Sequence, residues 1–297
     1  MTESAVIETN DLSKSYGGVR AVCGLNLSVP PSCITAFLGL NGAGKSTTVK
    51  MLLGMIEPSS GEGRVLGSPI GDPAQSVALR RRVAYVSENK RLYDYMTVEQ
   101  IIRFTRSFYP DWRAEVERDF LHAYELPPDR KIKKLSKGMR TKLALLLAFA
   151  RRPELLILDE PSEGLDPVGI EQLLESLVSR CAEGTSIFFS SHQIPEVERI
   201  ADHICMLDKG RLVIDAAMDD LRQSYRQIDL VFPSVPDERE FRMAGVESIR
   251  TKGHQMRVFA SRNAETVMER ARSFYPSSVE VSPVGLRDIF LETIKEN

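Results

Sequence analysis

No apolar run in this 297-residue chain comes near the roughly 20 residues a helix needs to cross a bilayer. Runs such as 143–150 and 155–158 are core-sized, which excludes a membrane span of the chain's own. Cysteine is scarce: Cys23, Cys33, Cys181 and Cys205 stand far apart with no CxxC pair. That spacing argues against a disulfide framework or a zinc site and predicts buried free thiols. An excess of one charge is also missing, since 39 basic and 41 acidic residues leave a formal net charge of -2. A chain that coats nucleic acid carries a basic footprint, so that class is excluded. Residues 1–10 lack the positive start and apolar stretch of a secretory signal, so a cytoplasmic location is expected. No internal repeat or low-complexity tract interrupts the chain.

What is present reads as α/β. Hydrophobic residues make up 42% of the chain, enough for one large core and a small second one. Short apolar runs at 34–38, 155–158 and 186–189 end in small or chemically active residues, and helix-like sequence follows each. That is the pattern of a parallel sheet flanked by helices. Ahead of them, 6–12 and 21–29 alternate apolar and polar residues around Gly17-Gly18, as in an antiparallel hairpin. Between 98 and 124, Ile101, Ile102, Phe104, Phe108, Trp112, Val116, Phe120 and Leu121 recur at helical steps and predict a helical insertion, placed at about 90–150. Strand-like runs at 228–232 and 256–259, with helix-like runs from Ala264 and Pro283, predict a small α+β appendage over 221–297, following a main domain over 1–220.

Gly39-Leu40-Asn41-Gly42-Ala43-Gly44-Lys45-Ser46 fits the G-x-x-x-x-G-K-[ST] phosphate loop, between a strand and a helix-like run that opens at Thr47. Its glycines let backbone N–H groups and a helix N-terminus face phosphate. Lys45 is suited to bridging β and γ oxygens, and Ser46 to ligating Mg²⁺. The run 155–158 then delivers Asp159 and Glu160 at the end of a buried strand, where open α/β sheets bind ligands. Successive strand residues face opposite ways. Asp159 is therefore expected in the Mg²⁺ shell and Glu160 at the water that attacks the γ-phosphate.

Leu135-Ser136-Lys137-Gly138-Met139 resembles the ABC signature, normally LSGGQ, and it stands just ahead of the acidic strand. Pro161-Ser162-Glu163-Gly164-Leu165-Asp166 resembles the D-loop of that family, Ser191-His192 the switch histidine, and Tyr16 the aromatic residue that stacks on adenine. Tyr85-Val86-Ser87-Glu88 occupies the place of the Q-loop, with Glu where Gln is usual. The ordered set covers about residues 5–220. The chain is thus similar to ATP-binding subunits of ABC transporters, in particular to a bacterial exporter branch whose permeases are separate chains. The resemblance implies a P-loop ABC cassette with an antiparallel β subdomain, a helical insertion and a small appendage.

It also implies ATP and Mg²⁺ as ligands, with Glu160 and His192 catalytic and Ser46, Glu88 and Asp159 at the metal. Tyr16, residues 39–47, Ser136, Gly138 and Asp166 are the nucleotide contacts it implies. Two cassettes, as homodimer or heterodimer, would meet head to tail, each ATP lying between one phosphate loop and the other chain's signature. The partner would be a membrane permease on the inner face of the cell membrane, with no nucleic acid involved. The rival reading is an ABC ATPase of translation, repair or chromosome organisation. Those carry two cassettes in one chain or long coiled coils, and neither occurs here.

Overall fold

The structure is a computed structural model that describes residues 4–295; residues 1–3 of the N-terminal stretch read above lie outside the described residues. The chain divides into two compact units, Met1–Asp215 and Ala216–Asn297. This division falls a few residues ahead of the 220/221 boundary expected from sequence. The last strand of the first unit is already ending there, and a helix opens the second.

The first unit begins with β1 (Ile7–Tyr16), β2 (Val19–Leu25) and β3 (Ser28–Val29). The Gly17-Gly18 turn between β1 and β2 lets them pair antiparallel, and β1 also pairs with β3. Next come β4 (Ile34–Leu38), α1 (Lys45–Leu52), β5 (Ser60–Val65), β6 (Ser68–Pro69), α2 (Ser76–Arg82) and β7 (Val83–Val86). β5 joins β1 and β6 joins β5, which completes an antiparallel sheet ordered β2-β1-β5-β6. The helical segment follows as α3 (Val98–Arg106), α4 (Ala114–Ala123) and α5 (Lys137–Phe149). The unit closes with β8 (Leu155–Asp159), α6 (Pro167–Ala182), β9 (Ser186–Ser190), α7 (Ile194–Ile200), β10 (His203–Asp208) and β11 (Arg211–Ala217).

A six-stranded sheet ordered β11-β10-β4-β9-β8-β7 forms the centre, with β10, β4, β9, β8 and β7 parallel to one another. Every residue of β4, β8 and β9 is buried, as expected for parallel strands covered on both faces. Phe37 and Phe188 pack with ring centroids 5.0 Å apart in a core that also takes Ile7, Leu12 and Val65 from the antiparallel sheet. The parallel arrangement brings the C-terminal ends of β4, β7, β8 and β9 to one edge. The loops leaving those ends carry the phosphate-loop glycines, Glu88, the Asp159-Glu160 pair and His192.

In the helical segment α3 is held by a capping box, Thr97 Oγ1 accepting from the Gln100 N–H while Gln100 Oε1 accepts from the Thr97 N–H. Ile101, Ile102 and Val116 are buried, but Phe104 and Phe108 of the same periodic set are exposed. The helix breaks over 107–113, so Phe108 and Trp112, expected at helical steps, lie in the connection between α3 and α4, and of the exposed pair only Phe104 stands on a helix.

The second unit contains α8 (Met218–Ser224), β12 (Arg226–Val231), β13 (Val246–Lys252), β14 (Gln255–Ala260), α9 (Ala264–Arg272), β15 (Ser278–Pro283) and α10 (Leu286–Lys295). Its antiparallel sheet is ordered β13-β14-β12-β15, and Ile228, Leu230, Phe232, Met256 and Val258 form its own core with Val267 and Ala271 of α9. β13 and β15 are strands beyond the two read from sequence, and Pro283 ends β15 instead of opening a helix. All four cysteines are free. Only Cys205 is buried, and the other three are half-buried, which corrects the expectation of buried thiols. Among the described residues no helix is long and apolar enough to cross a membrane.

Candidate functional site

The loop after β4 and the start of α1 form one wall of a cleft of about 340 Å³ lined by Asn41, Gly42, Gly44, Lys45, Ser46 and Thr47. Ala21, Glu88, Asp159 and Glu160 supply the other walls. Gly44 stands immediately before α1 at φ 108, and a Cβ there would lie 2.3 Å from the Ala21 carbonyl oxygen. Only glycine meets both conditions. No side chain caps α1 and no acid occupies its first turn, so its leading N–H groups and positive dipole end face the cleft. Such a terminus is suited to receiving an anion.

Lys45 is buried, with 7% of its surface exposed, and its Nζ donates to the carbonyls of Gly39 at 2.7 Å and Leu40 at 3.2 Å. Burial pushes its ammonium below the ordinary lysine range, opposed by the carboxylates of Glu160, Asp159 and Glu88. Ala43 closes the loop by donating its N–H to the Leu40 carbonyl at 3.1 Å. Gly39, Leu40 and Ala43 thus shape the loop and hold its lysine, and the other expected loop residues line the cleft itself.

Asp159 accepts from two hydroxyls, Ser46 Oγ at 3.2 Å and Ser190 Oγ at 2.6 Å. Ser190 is its register partner on β9, so pairing of β8 with β9 places the second contact. The hydroxyl of Ser46 and the carboxylates of Asp159 and Glu88 give an all-oxygen donor set at one cleft, which fits a hard dication such as Mg²⁺.

Glu160 adopts a left-handed backbone, φ 49, and precedes Pro161, which restricts it further. For a residue with a side chain that conformation costs about 1–2 kcal/mol. Hydrogen bonds hold it: its N–H donates to the Ser190 carbonyl at 3.2 Å, and its carbonyl accepts from Lys90 Nζ at 2.9 Å and the Glu163 N–H at 3.3 Å. The turn aims the carboxylate at His192, with Oε2 and Nδ1 2.7 Å apart. His192 also meets Gln193 Nε2 at 3.0 Å through its other ring nitrogen.

Tyr16 ends β1 with 48% of its surface exposed and lies outside the residues lining the cleft; Lys14 Nζ lies 5.2 Å from its ring centroid. Ser136, Gly138 and Asp166 also lie outside that lining. Ser136 caps α5 by accepting from the Met139 N–H at 3.2 Å, and Asp166 caps α6 by accepting from the Gly169 N–H at 2.7 Å. Gly138 packs against the D-loop so closely that a Cβ would lie 2.6 Å from the Gly164 carbonyl oxygen. Lys137, which replaces the usual glycine, pairs with Glu163 at 2.5 Å and draws that carboxyl below its usual range.

Sequence reasoning passed over Ala21, Ser190 and Lys90. Ser190 was legible only through strand pairing, and Lys90 carries no motif. One other group of metal-type side chains occurs among the described residues, His203, Cys205 and Asp215. His203 Nε2 at 2.6 Å and Cys205 Sγ at 3.5 Å both meet the same Asp215 oxygen, so the three satisfy one another. They begin at the opposite end of β10 from the cleft loops.

A phosphate loop, an acidic strand end and a Glu–His pair gathered at the C-terminal edge of a parallel sheet define a P-loop nucleotide-binding cassette. The ABC transporter family profile matches residues 22–163. The ABC transporter ATP-binding protein YhaQ of Bacillus subtilis is 33% identical over 242 residues, covering 79% of this chain and 78% of that protein. The Nod factor export ATP-binding protein I of Rhizobium etli is 31% identical over 293 residues, covering 96% of this chain and 92% of that one. A solved structure of an ATP-binding subunit of an ABC transporter superposes with a TM-score of 0.68 at 34% identity, covering 73% of this chain and 92% of its own. The chain belongs to the ABC transporter family as an ATP-binding subunit, and like its family it is an ATPase.

Proposed function

We propose that this ATPase powers export through a separately encoded permease, from the cytoplasmic face of the membrane, with ATP held between two cassettes. The observation that carries the reading is the convergence of Lys45, Ser46, Asp159 and Glu160 on one cleft, with the signature residues Ser136 and Gly138 outside its lining. In a head-to-tail pair the N-terminus of α5 would supply the missing γ-phosphate contacts from the second chain. Because this chain carries every catalytic part, two copies of it would make two competent sites. Full-length similarity to a Nod factor export protein supports the exporter branch.

Within the site, Lys45 and the N–H groups of α1 would bind the phosphates, and Tyr16 would stack on adenine. Ser46, Asp159 and Glu88 would hold Mg²⁺, which when bound neutralises charge on the phosphate oxygens. Glu160 would take the proton of the attacking water, with His192 orienting its carboxylate. Glu88→Gln is expected to remain active, because one oxygen is kept. Glu88→Ala is expected to raise the Mg²⁺ requirement by about tenfold while ATP binding changes little. Mg²⁺ titrations of hydrolysis check this; identical curves for both variants and the native chain would remove Glu88 from the metal.

The permease reading rests on the surface beside that loop. Tyr93 and Tyr95 pack at a tilt with centroids 5.8 Å apart, Tyr93 meets Phe104 edge-on at 5.8 Å, and Phe104 meets Phe108 at 5.1 Å. These four rings are 41–68% exposed, an aromatic row of the kind that anchors protein interfaces. Tyr109 follows directly and lines an apolar groove of about 420 Å³ with Leu52, Met55, Leu79, Tyr85 and Arg151. Phe108→Asp should cut co-purification with the permease by about 30-fold or more, the size of an aromatic hot spot, while leaving ATP binding intact. Undiminished recovery of the permease with that variant would overturn the docking assignment.

A further inference from the structure

Lys90 is a lysine with only 5% of its surface exposed, two residues beyond Glu88 in the loop after β7. Its backbone is left-handed, φ 40, and its N–H closes a turn onto the Ser87 carbonyl at 3.1 Å. The turn brackets Glu88 and sends the Lys90 side chain inward. There Nζ donates to the main-chain carbonyl of Glu160 at 2.9 Å. Burial lowers the ammonium below the usual lysine range, and Lys137 adds to that; Glu163, Glu88 and Asp159 oppose it. A buried cation is costly unless it is paired and bonded, and here it spans two strained backbones, its own and that of Glu160.

We propose that Lys90 is a positioning residue for hydrolysis: its ammonium clamps the Glu160 carbonyl, fixing the turn that aims the Glu160 carboxylate, and so ties the base to the loop carrying Glu88. The inference rests on Glu160 being the base, as proposed above. The Glu160 peptide is held from both sides, its N–H by Ser190 on the neighbouring strand and its carbonyl by Lys90 from the loop after β7, with the Glu163 N–H of its own turn as the weaker second donor at 3.3 Å. Ser190 belongs to the sheet and is fixed. Lys90 belongs to a surface loop, so a displacement of that loop is transmitted to the base through a single hydrogen bond. The carbonyl itself takes no part in proton transfer, which separates this role from that of the carboxylate. The aromatic row begins at Tyr93, three residues further along the same loop, so Lys90 connects that stretch of chain to the base through one hydrogen bond.

Lys90→Met keeps the length and apolar stem and removes the donor, while Lys90→Arg keeps a donor. With the full chain, Lys90→Met is expected to lower kcat by about 10- to 100-fold, the range for misplacing a catalytic group by about 1 Å, with ATP affinity within about twofold of native. Lys90→Arg should recover most of that loss. In a Glu160→Gln background Lys90→Met should slow the residual rate no further, because the group it positions is already gone. An unchanged kcat in Lys90→Met, or an equal fractional loss in the Glu160→Gln background, overturns the clamp. Should Lys90→Met fail to fold, Lys90→Leu, which also removes the donor, is read by the same two criteria. Failure of the base itself appears separately, as Glu160→Gln turning over ATP at the native rate.

Discussion

Glu160→Gln is expected to slow ATP turnover by about 10²- to 10⁴-fold, the range for loss of a positioned general base, while ATP stays bound. The amide keeps the size of the carboxylate and can still meet His192, whose Nδ1 lies 2.7 Å from the native Oε2, so the turn at φ 49 should survive. What is lost is the capacity to take a proton. Because hydrolysis is the step that would release two cassettes from each other, the variant should accumulate as an ATP-bound dimer. Single-turnover hydrolysis and size-exclusion chromatography with ATP read the two effects. Native turnover in this variant would remove Glu160 from the base role.

Lys45→Ala is expected to act earlier, weakening ATP binding by about 10²-fold or more, the loss that follows when one partner of a buried charge pair is removed. The lysine is buried, and the Gly39 and Leu40 carbonyls hold its Nζ at the phosphate loop. The glycine turns and α1 do not depend on it, so the folded cassette should persist. Titration of the variant with a fluorescent ATP analogue, alongside its thermal unfolding, separates lost affinity from lost structure. Native affinity in a folded variant would contradict the phosphate-loop assignment.

Much of the fold was legible because the buried parallel strands announce themselves as unbroken apolar runs. Residues 34–38, 155–158 and 186–189 read as strands, and β4, β8 and β9 occupy them. The second unit was harder. β13 buries none of its residues fully and shows no regular alternation, whereas β15 alternates polar and apolar residues over 278–282 yet exposes almost its whole length, so its pattern marks no buried face. Helical periodicity was read correctly at Ile101, Ile102 and Val116, yet it could not tell that Phe104 and Phe108 face solvent. Spacing alone does not tell an exposed position from a buried one, nor where α3 ends at Arg106.

The sequence by itself determined the chemistry that sits within a few consecutive residues. The phosphate loop needs its glycines, Lys45 and Ser46 in one strand-turn-helix, and the acidic strand end needs Asp159 and Glu160 side by side. Each is set by local backbone geometry. Only the tertiary structure decided which of these parts meet: Ser46 with Asp159 across 113 residues, Glu160 with His192 across 32, and Lys90 with the Glu160 carbonyl across 70. Those distances depend on the order and register in which β4, β7, β8 and β9 align. That alignment is a cooperative result of burying the whole sheet, so no short stretch of the chain encodes it.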